Sequence, residues 1–361
     1  MFNATNTSTN TTGQQIQRSF PEPFGSLVFR MTLIVCTLLI AFLGNLVVIR
    51  AVYRVPGRRP LAYLLILNLA VGELLNVVFL PFLFYYEQTL DWIFGEFLCK
   101  IINPLQIMCL TNVTVTLAAI AVYRWRVFTV PYKRTVSPLK TKLMIGSFWL
   151  VGVTLAVPLL WLRDLTPRGD GRMRCSWKTY DYRGPYAIVH NIVCYVIPFV
   201  VMATAYTMVG LRLRRHIVVT KRRETIDRNN SLPTSQIEIN MLTVNANGKQ
   251  SPFPTPPFDR RHRESTQLAR AYAENKGIVE MEHDLIRMMY IIVFSFIVCY
   301  IPYQLFFILH HVGIWKKPVP IFVAAGYFQW LIVLPSALHP LIYGTKSKFF
   351  AKAFSSLFFC K

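Results

Sequence analysis

Cys299-Tyr-Ile-Pro302 lies in one long apolar stretch of the chain, and His339-Pro-Leu-Ile-Tyr343 lies in the next. A third short sequence, Tyr123-Arg-Trp125, ends an earlier apolar stretch. Inside a membrane, prolines and polar side chains are tolerated only where packing or function compensates for them. These three sequences therefore indicate membrane helices that carry a function.

The composition agrees with a membrane protein. Of 361 residues, 53% are hydrophobic and only 16% are charged, a combination that is rare in soluble domains. A membrane-spanning helix needs about 20 predominantly apolar residues. Seven stretches have this character: 27–52, 61–86, 97–128, 142–162, 186–214, 283–311 and 319–344. The predicted fold class is an all-α membrane protein, a seven-transmembrane helix bundle followed by an amphipathic helix.

The net charge of +22 is interpreted as membrane topology. Arginine and lysine are concentrated after the first, third and fifth spans, which places those segments in the cytoplasm and the N-terminus outside. Basic segments at this position also attract anionic membrane lipid. We therefore expect a membrane-lipid contact there and no nucleic-acid partner.

The N-terminal tail carries three acceptor signals for N-glycosylation, at Asn3, Asn6 and Asn10. Such a signal is used only on the luminal or extracellular side of the membrane, so the three agree with an extracellular N-terminus. The tail has no basic region followed by a short apolar core, and we expect no cleavable signal peptide.

The spans divide the chain into five segments. These are an extracellular glycosylated tail at 1–25, transmembrane helices 1–5 at 26–215, a disordered cytoplasmic loop at 216–280, transmembrane helices 6–7 at 281–344, and an amphipathic helix with a short C-terminal tail at 345–361. In the last segment Phe350 and Phe354 share one helical face, which is typical of a helix lying on a membrane surface. Cys360 is a candidate for palmitoylation, with a free thiol as the alternative.

Further short sequences follow one another along the spans. They are Gly44-Asn45 in the first, Leu67-Asn-Leu-Ala70 in the second, Trp149 in the fourth, and Pro198 and Tyr206 in the fifth. Together with the three sequences quoted above, they resemble the rhodopsin-like (class A) G protein-coupled receptors over nearly the whole chain. The resemblance implies a multi-pass plasma-membrane receptor that binds an extracellular ligand and activates a heterotrimeric G protein, with arrestin and receptor kinases as further partners.

The chain shows no evident catalytic set or metal cluster, and we expect neither enzymatic activity nor a cofactor. Cys99 and Cys175 lie on the predicted extracellular side, where conditions are oxidising. The receptor family joins these two places by a disulfide, so the resemblance implies a Cys99–Cys175 bond.

Arg124 is the residue to which the resemblance assigns signalling. In the family this arginine pairs inward at rest and meets the G protein in the active state, and Glu282 stands where the family has the opposing acid. The usual Asp before the arginine is Tyr123 here, so one restraining charge is missing and we predict measurable basal signalling. The alternatives are an arginine that only snorkels to the membrane surface and a decoy receptor that binds ligand without coupling.

The central polar site departs from the family pattern. The family's sodium-binding Asp, Asn and small polar residue correspond to Glu73, His339 and Val113, which offer too few oxygen ligands for sodium. We expect Glu73 and His339 to pair near Asn45, whose counterpart in the family bridges neighbouring helices. The pair is either a structural hydrogen bond or, because histidine titrates near neutral pH, a source of pH-sensitive activity.

Most of the residues that we expect to change position on activation lie in the sixth and seventh spans. Pro302 removes a backbone hydrogen bond and kinks the sixth span. Tyr300 replaces the family's usual Trp, one helical turn from Phe296. Tyr206 and Tyr343 resemble the family's pair that meets through water on activation.

The predicted ligand contacts fall on one face of the sixth span and on its neighbours. They are Tyr300, Tyr303, Gln304 and His311, with Gln106 on the third span, His190 on the fifth and Gln329 on the seventh. A face with this spacing is also typical of simple helix packing. Glu87 can supply a negative charge to the same site. The loop around Cys175 carries more basic than acidic residues, and such a rim steers acidic ligand groups toward the site.

Two residues that other receptor classes require are missing from this sequence, and their absence excludes two classes of ligand. Amine receptors need an acid on the third span, where this chain has Gln106, and opsins need a lysine in the seventh span, where residues 319–344 contain none. The glutamine, with Trp92-Ile-Phe-Gly95, resembles the receptors for neuropeptide Y, neuropeptide FF and orexin. We therefore predict a neuropeptide ligand. A lipid or other small molecule is the alternative, and a polytopic transporter is the alternative from another class.

Overall fold

The computed structural model describes residues 22–54, 61–129, 137–178, 183–212, 288, 290–306, 309 and 319–358. Eight helices follow one another within these residues: α1 Phe24–Tyr53, α2 Leu61–Thr89, α3 Gly95–Thr129, α4 Pro138–Leu162, α5 Pro185–Arg212, α6 Tyr290–Phe306, α7 Val319–Lys346 and α8 Lys348–Phe358. Among the described helices, α1 to α5 are each long and apolar enough to cross a membrane. The helices follow the order of the predicted spans.

Prolines shape several of these helices without ending them. Pro81, Pro104 and Pro158 lie inside α2, α3 and α4, and α7 contains two more. In α5 the turn Ile192–Val196 is π-helical, and the N–H of Ile197 donates to the carbonyl of Ile192, five residues earlier. Pro198 follows directly and has no N–H to offer, so the wider turn accommodates the missing hydrogen bond.

Glycines allow three pairs of helices to approach closely. A Cβ added to Gly44 of α1 would lie 2.6 Å from Cβ of Pro340 in α7. One added to Gly72 of α2 would lie 2.7 Å from the Asn112 amide in α3, and one added to Gly152 of α4 would lie 2.7 Å from the carbonyl of Met108 in α3. Small residues at helix crossings provide the close van der Waals packing that holds membrane helices together.

Polar side chains also join the helices at one buried point. The Asn68 amide of α2 donates to Asn112 Oδ1 at 2.9 Å and to Thr116 Oγ1 at 2.8 Å, both in α3. Trp149 of α4 donates from Nε1 to Asn68 Oδ1 at 2.9 Å. The asparagine and tryptophan noted in the sequence therefore bridge three helices, and such hydrogen bonds are stabilising in a medium without water.

A β-hairpin follows α4 at one end of the bundle, here named the hairpin end. Strand β1, Arg163–Pro167, pairs antiparallel with β2, Met173–Trp177, with Arg163 opposite Trp177. Gly171 turns the chain between them with φ of +81°, a conformation that favours glycine. These strands were not predicted from the sequence.

The predicted disulfide is confirmed and ties the hairpin to α3. Cys99 and Cys175 are bonded, with their Cα atoms 5.6 Å apart, and both are buried. Beside them Trp92 donates from its backbone N–H to the carbonyl of Met173 and from Nε1 to the carbonyl of Gly95. The hairpin is thus fixed to α3 and to the link between α2 and α3.

Helix α8 packs against the opposite end of the bundle, here named the α8 end. Phe350 is fully buried, and its ring lies 5.4 Å from that of Tyr343 in α7 and 6.1 Å from that of Tyr63 in α2. Lys348 and Lys352 are exposed. One apolar face against the bundle and a basic face outside agree with the predicted amphipathic helix.

Candidate functional site

The structure brings Glu73 and His339 together in the middle of the bundle. Nδ1 of His339 in α7 is hydrogen-bonded to Oε1 of Glu73 in α2, and the two residues are 0% and 1% exposed. Next to them the Asn45 amide of α1 donates to the carbonyls of Ala41 at 2.9 Å and Ser336 of α7 at 3.0 Å. Three helices are therefore joined by polar contacts between residues that are not exposed at the surface.

A set of aromatic rings connects the central pair with the hairpin end. Tyr300 lies close to Glu73, and its ring lies 4.1 Å from that of Phe296. From α5, the ring of Tyr195 lies 5.5 Å from that of Tyr300 and 5.7 Å from that of His190. The rings of His190, Tyr195 and Tyr300 therefore form a chain of two ring contacts, and Tyr300 at its inner end lies close to Glu73.

Two residues of this aromatic set were missed in the sequence, Tyr195 and Phe199 of α5. The ring of Phe199 lies 5.5 Å from that of Phe296. The signal that could have identified them is their spacing of four residues in the fifth span, which places both on one helix face.

An acidic group lies at the hairpin end, where three predicted ligand residues come together. The Gln329 amide of α7 donates to Oε1 of Glu87 in α2, and Glu87 is exposed. Tyr303 of α6 lies close to the same carboxylate. Of the remaining predicted contacts, Gln106 and Gln304 are half-buried. Glu87 is therefore exposed as a residue, while its carboxylate lies beside Gln329 and Tyr303 and is held in position from a second helix.

A second charged cluster at the hairpin end was not predicted. Arg30 of α1 is 4% exposed and donates to both oxygens of Glu22, from Nη2 at 2.5 Å and from Nε at 3.2 Å. Its Nη2 also donates to Gln88 Oε1 of α2 at 3.1 Å. The signal that could have revealed it is an arginine inside the first apolar span, which must find a partner.

Arg124 is buried near the α8 end of α3, with 4% of its surface exposed. It lies close to Tyr63 of α2 and to Tyr206 of α5. Tyr290 of α6 donates from its hydroxyl to the backbone carbonyl of Tyr206 at 3.2 Å, and Tyr343 of α7 lies close to Tyr206. The predicted coupling residues Arg124, Tyr206 and Tyr343 therefore share one region.

Pro302 lies inside α6, two residues after Tyr300, and is half-buried. Several predicted residues fall outside the described part of the chain: Glu282, His311, Asn3, Asn6, Asn10 and Cys360. Within the described part, no group of three or more His, Cys, Asp or Glu side chains is placed to hold a metal ion.

Comparison with known proteins decides the family. The family described as 7 transmembrane receptor (rhodopsin family) matches residues 44–343. The chain belongs to this family. The match confirms the predicted recognition as a rhodopsin-like receptor, the predicted seven-helix bundle and the prediction that the protein is not an enzyme. The receptor is thus a multi-pass membrane protein.

Several curated receptors are similar to this one. A human neuromedin-K receptor is 26% identical over 97% of this chain and 64% of its own length. A substance-K receptor from Mesocricetus auratus is 25% identical over 97% of this chain and 80% of its own length. A gonadotropin-releasing hormone receptor from Octopus vulgaris is 26% identical over 84% and 67%. This chain spans just under two thirds of the neuromedin-K receptor.

Proposed function

We propose that this receptor sits in the plasma membrane with its N-terminus and hairpin end outside, binds a neuropeptide there, and activates a heterotrimeric G protein at its α8 end. The names of its relatives, which include neuromedin-K and substance-K receptors, support a peptide ligand. The observation that carries the proposal is the Glu87 carboxylate, oriented by Gln329 at the hairpin end of a rhodopsin-family bundle.

The Glu87 carboxylate at that end favours a ligand with a cationic group. Glu87 accepts a hydrogen bond from Gln329 and remains exposed, so an arginine or amine of a peptide can approach it. Charge-assisted hydrogen bonds of this kind are roughly twice as strong as neutral ones. Tyr300, Tyr303, Gln304, His190, Gln106 and His311 would form the rest of the ligand site. Their aromatic and amide groups suit the side chains and backbone of a peptide.

The path from ligand to G protein would run through the central pair. Tyr300 and Phe296 transmit ligand contact to Glu73 and His339, and Pro302 gives α6 a point at which to bend. Movement of α6 would then rearrange the region around Arg124, Tyr206 and Tyr343. Glu282 would oppose Arg124 in the resting state.

A test of the ligand assignment compares Glu87→Gln with Glu96→Gln in cells exposed to a panel of amidated neuropeptides. Glu96 is a matched acid at the same end, where its partner is Lys100 of its own helix. We expect a cationic peptide to dissociate the G protein, with a concentration for half-maximal effect about 10-fold or more higher in Glu87→Gln and unchanged in Glu96→Gln.

Other outcomes of that test have distinct meanings. Equal potency in Glu87→Gln and the wild type would remove Glu87 from the ligand site. A response to lipids but to none of the peptides would replace the peptide with a small molecule. Binding of ligand without G protein dissociation would favour a decoy receptor, and solute uptake would favour a transporter.

The proposed orientation and partners outside the bundle have separate tests. Replacing Asn3, Asn6 and Asn10 by glutamine should abolish the gel shift produced by removing N-linked glycans from surface-labelled receptor. An unchanged shift would place the glycans elsewhere.

Receptor kinases and arrestin would act on the cytoplasmic segments after activation, and ligand-dependent arrestin recruitment measures this. Replacing Cys360 tests palmitoylation by loss of labelled palmitate.

A further inference from the structure

At the hairpin end, Arg30 has a counter-charge and, in addition, further hydrogen-bond partners. The guanidinium lies in the first apolar helix, and the groups around it come from the segment before α1, from α2 and from α7. Burying a guanidinium requires both a counter-charge and further hydrogen-bond acceptors. Here Glu22 supplies the charge and Gln88 supplies an additional acceptor.

The contact with Glu22 has the geometry of carboxylate recognition. The guanidinium donates from Nε and Nη2 to two different oxygens of one carboxylate, the paired arrangement in which arginine recognises planar anions. Ser26 donates from Oγ to Glu22 Oε1 at 2.9 Å, and its Oγ lies 3.1 Å from the Tyr327 hydroxyl. Within the part of the chain that the structure describes, the side chains that donate to the Glu22 carboxylate belong to α1.

Helix α7 leaves room for the guanidinium at this point. A Cβ added to Gly326 would lie 2.9 Å from Cζ of Arg30, which is too close for an undisturbed side chain. The glycine thus leaves room for the guanidinium beside α7, where it also contacts Gln88 of α2. Arg30 is held in place on three sides, whereas Glu22 comes from the segment that precedes α1 and lies outside the helix.

We propose that Arg30, with Gln88, Ser26 and Tyr327, is a carboxylate-binding site at the hairpin end, and that Glu22 occupies it as a tethered internal ligand. A carboxylate from outside takes the same place when Glu22 is removed or displaced. The C-terminal acid or an acidic side chain of a peptide is the group that suits the site, a point that rests on the proposed function.

Exposed basic residues of the hairpin lie near this site. Arg172 is exposed and donates from Nη1 to the carbonyl of Thr89 at 3.1 Å, next in sequence to Gln88. Arg174 is exposed as well. A positive rim raises the local concentration of anions and speeds their association. Glu87, which precedes Gln88, offers the opposite charge, so the two sites would suit a ligand with both an acidic and a basic group.

The test is chemical rescue and needs no peptide, so its failure is separate from failure of the proposed function. Glu22→Ala is purified in detergent, and its melting temperature is measured in sodium acetate and in sodium chloride of equal ionic strength. We expect Glu22→Ala to melt several degrees below the wild type and acetate to restore most of the loss in a saturable manner. The wild type should respond equally to both salts.

Three control variants test whether the acetate effect depends on the Arg30 guanidinium. Glu22→Ala combined with Arg30→Gln lacks the guanidinium and should not respond to acetate. Gly326→Ala keeps both charges but displaces the guanidinium, and acetate should not restore its lowered melting temperature. Glu96→Ala breaks the exposed Glu96–Lys100 pair and should show no acetate effect.

The proposal is overturned if acetate fails to stabilise Glu22→Ala beyond chloride, or if it stabilises the double variant or Glu96→Ala equally. Where Glu22→Ala yields no folded receptor, Glu22→Asp carries the same prediction. It keeps the charge but shortens the side chain, so acetate should raise its melting temperature, and absence of that rise overturns the proposal.

Discussion

Glu73 and His339 are expected to stabilise the receptor only as a pair. Removing one partner leaves the other buried without compensation, which costs about 3–5 kcal/mol when the remaining group is charged. We predict that Glu73→Gln and His339→Gln each lower the thermal inactivation temperature of the purified receptor, and that the double variant loses clearly less than the sum. Such a cycle measures the coupling between the two side chains.

A matched pair of buried residues provides the control. Thr114 is buried in α3 and donates its hydroxyl to the carbonyl of Thr111 in its own helix. Thr114→Val and His339→Gln should therefore be additive within about 0.5 kcal/mol. Additive losses for Glu73 and His339 as well would contradict the view that the two act as one unit.

Glu22 makes a pH-dependent contribution to stability. The Arg30 guanidinium beside it holds the pKa of the Glu22 carboxyl below its ordinary value. A lowered pKa in the folded state gives stability that is present above the unfolded pKa of about 4.3 and is lost as the pH falls through the folded pKa. The melting temperature of the wild type should exceed that of Glu22→Gln at pH 6–7, and the two should converge below about pH 4.

Convergence on acidification is the decisive feature of that experiment. A difference that stays constant down to about pH 3.5, below the ordinary pKa of a glutamate, would show that the Glu22 carboxylate contributes shape rather than charge. Arg30→Gln should behave like Glu22→Gln at low pH, because neither variant retains the ion pair.

At the residue scale, the sequence predicted pairs where a family pattern indicated both partners. Glu73 and His339 were expected to meet because they occupy corresponding central positions, and the structure joins them. Arg30 was missed because its partners lie at positions 22, 88 and 326, which no spacing rule connects. Only the three-dimensional packing of α1 against α2 and α7 creates that cluster.

At the element scale, the contact between α3 and α4 depends on Gly152. A methyl group there would meet the Met108 backbone carbonyl at 2.7 Å, and backbone cannot move aside easily. We predict that Gly152→Ala destabilises the receptor by about 1–3 kcal/mol through overpacking. Gly146 of the same helix has nothing within 4 Å of an added Cβ, so Gly146→Ala should be neutral or stabilising by up to about 1 kcal/mol.

The measurement is the melting temperature of both glycine variants in the same detergent. Since the two substitutions add the same atoms to the same helix, the difference in helix propensity largely cancels between them. Gly152→Ala melting at or above Gly146→Ala would contradict the close approach of α4 to α3.

Elements differed in how well the sequence predicted them. The helices follow from the length and continuity of apolar stretches, and α8 follows from the period of its phenylalanines. The hairpin was missed because its strands have only five residues each and little alternation, although Gly169 and Asp170-Gly171 between them are turn signals. Its position is determined by long-range contacts, the Cys99 disulfide and the Asp91 carboxylate that accepts the Met173 N–H at 2.9 Å.

At the scale of the whole molecule, the inactive conformation should be only weakly favoured over the active one. Tyr123 stands where the family's usual Asp would restrain Arg124, and a missing counter-charge shifts the balance toward the active form. We predict basal G protein dissociation above that of mock-transfected cells. Tyr123→Asp should lower it, whereas Tyr123→Phe, which restores no charge, should leave it unchanged. Basal activity at or below the mock level would contradict this account.

The central claim is that the receptor signals to a G protein through Arg124. Its most direct test is G protein dissociation in living cells, with and without amidated neuropeptides, for the wild type, Arg124→Ala and Arg212→Ala at matched surface expression. Arg212 is the control, an exposed arginine at the same end whose Nη1 donates to the carbonyl of Thr129. We predict signalling in the wild type and in Arg212→Ala, and none in Arg124→Ala. Undiminished signalling in Arg124→Ala, or a silent wild type at verified surface expression, would contradict it.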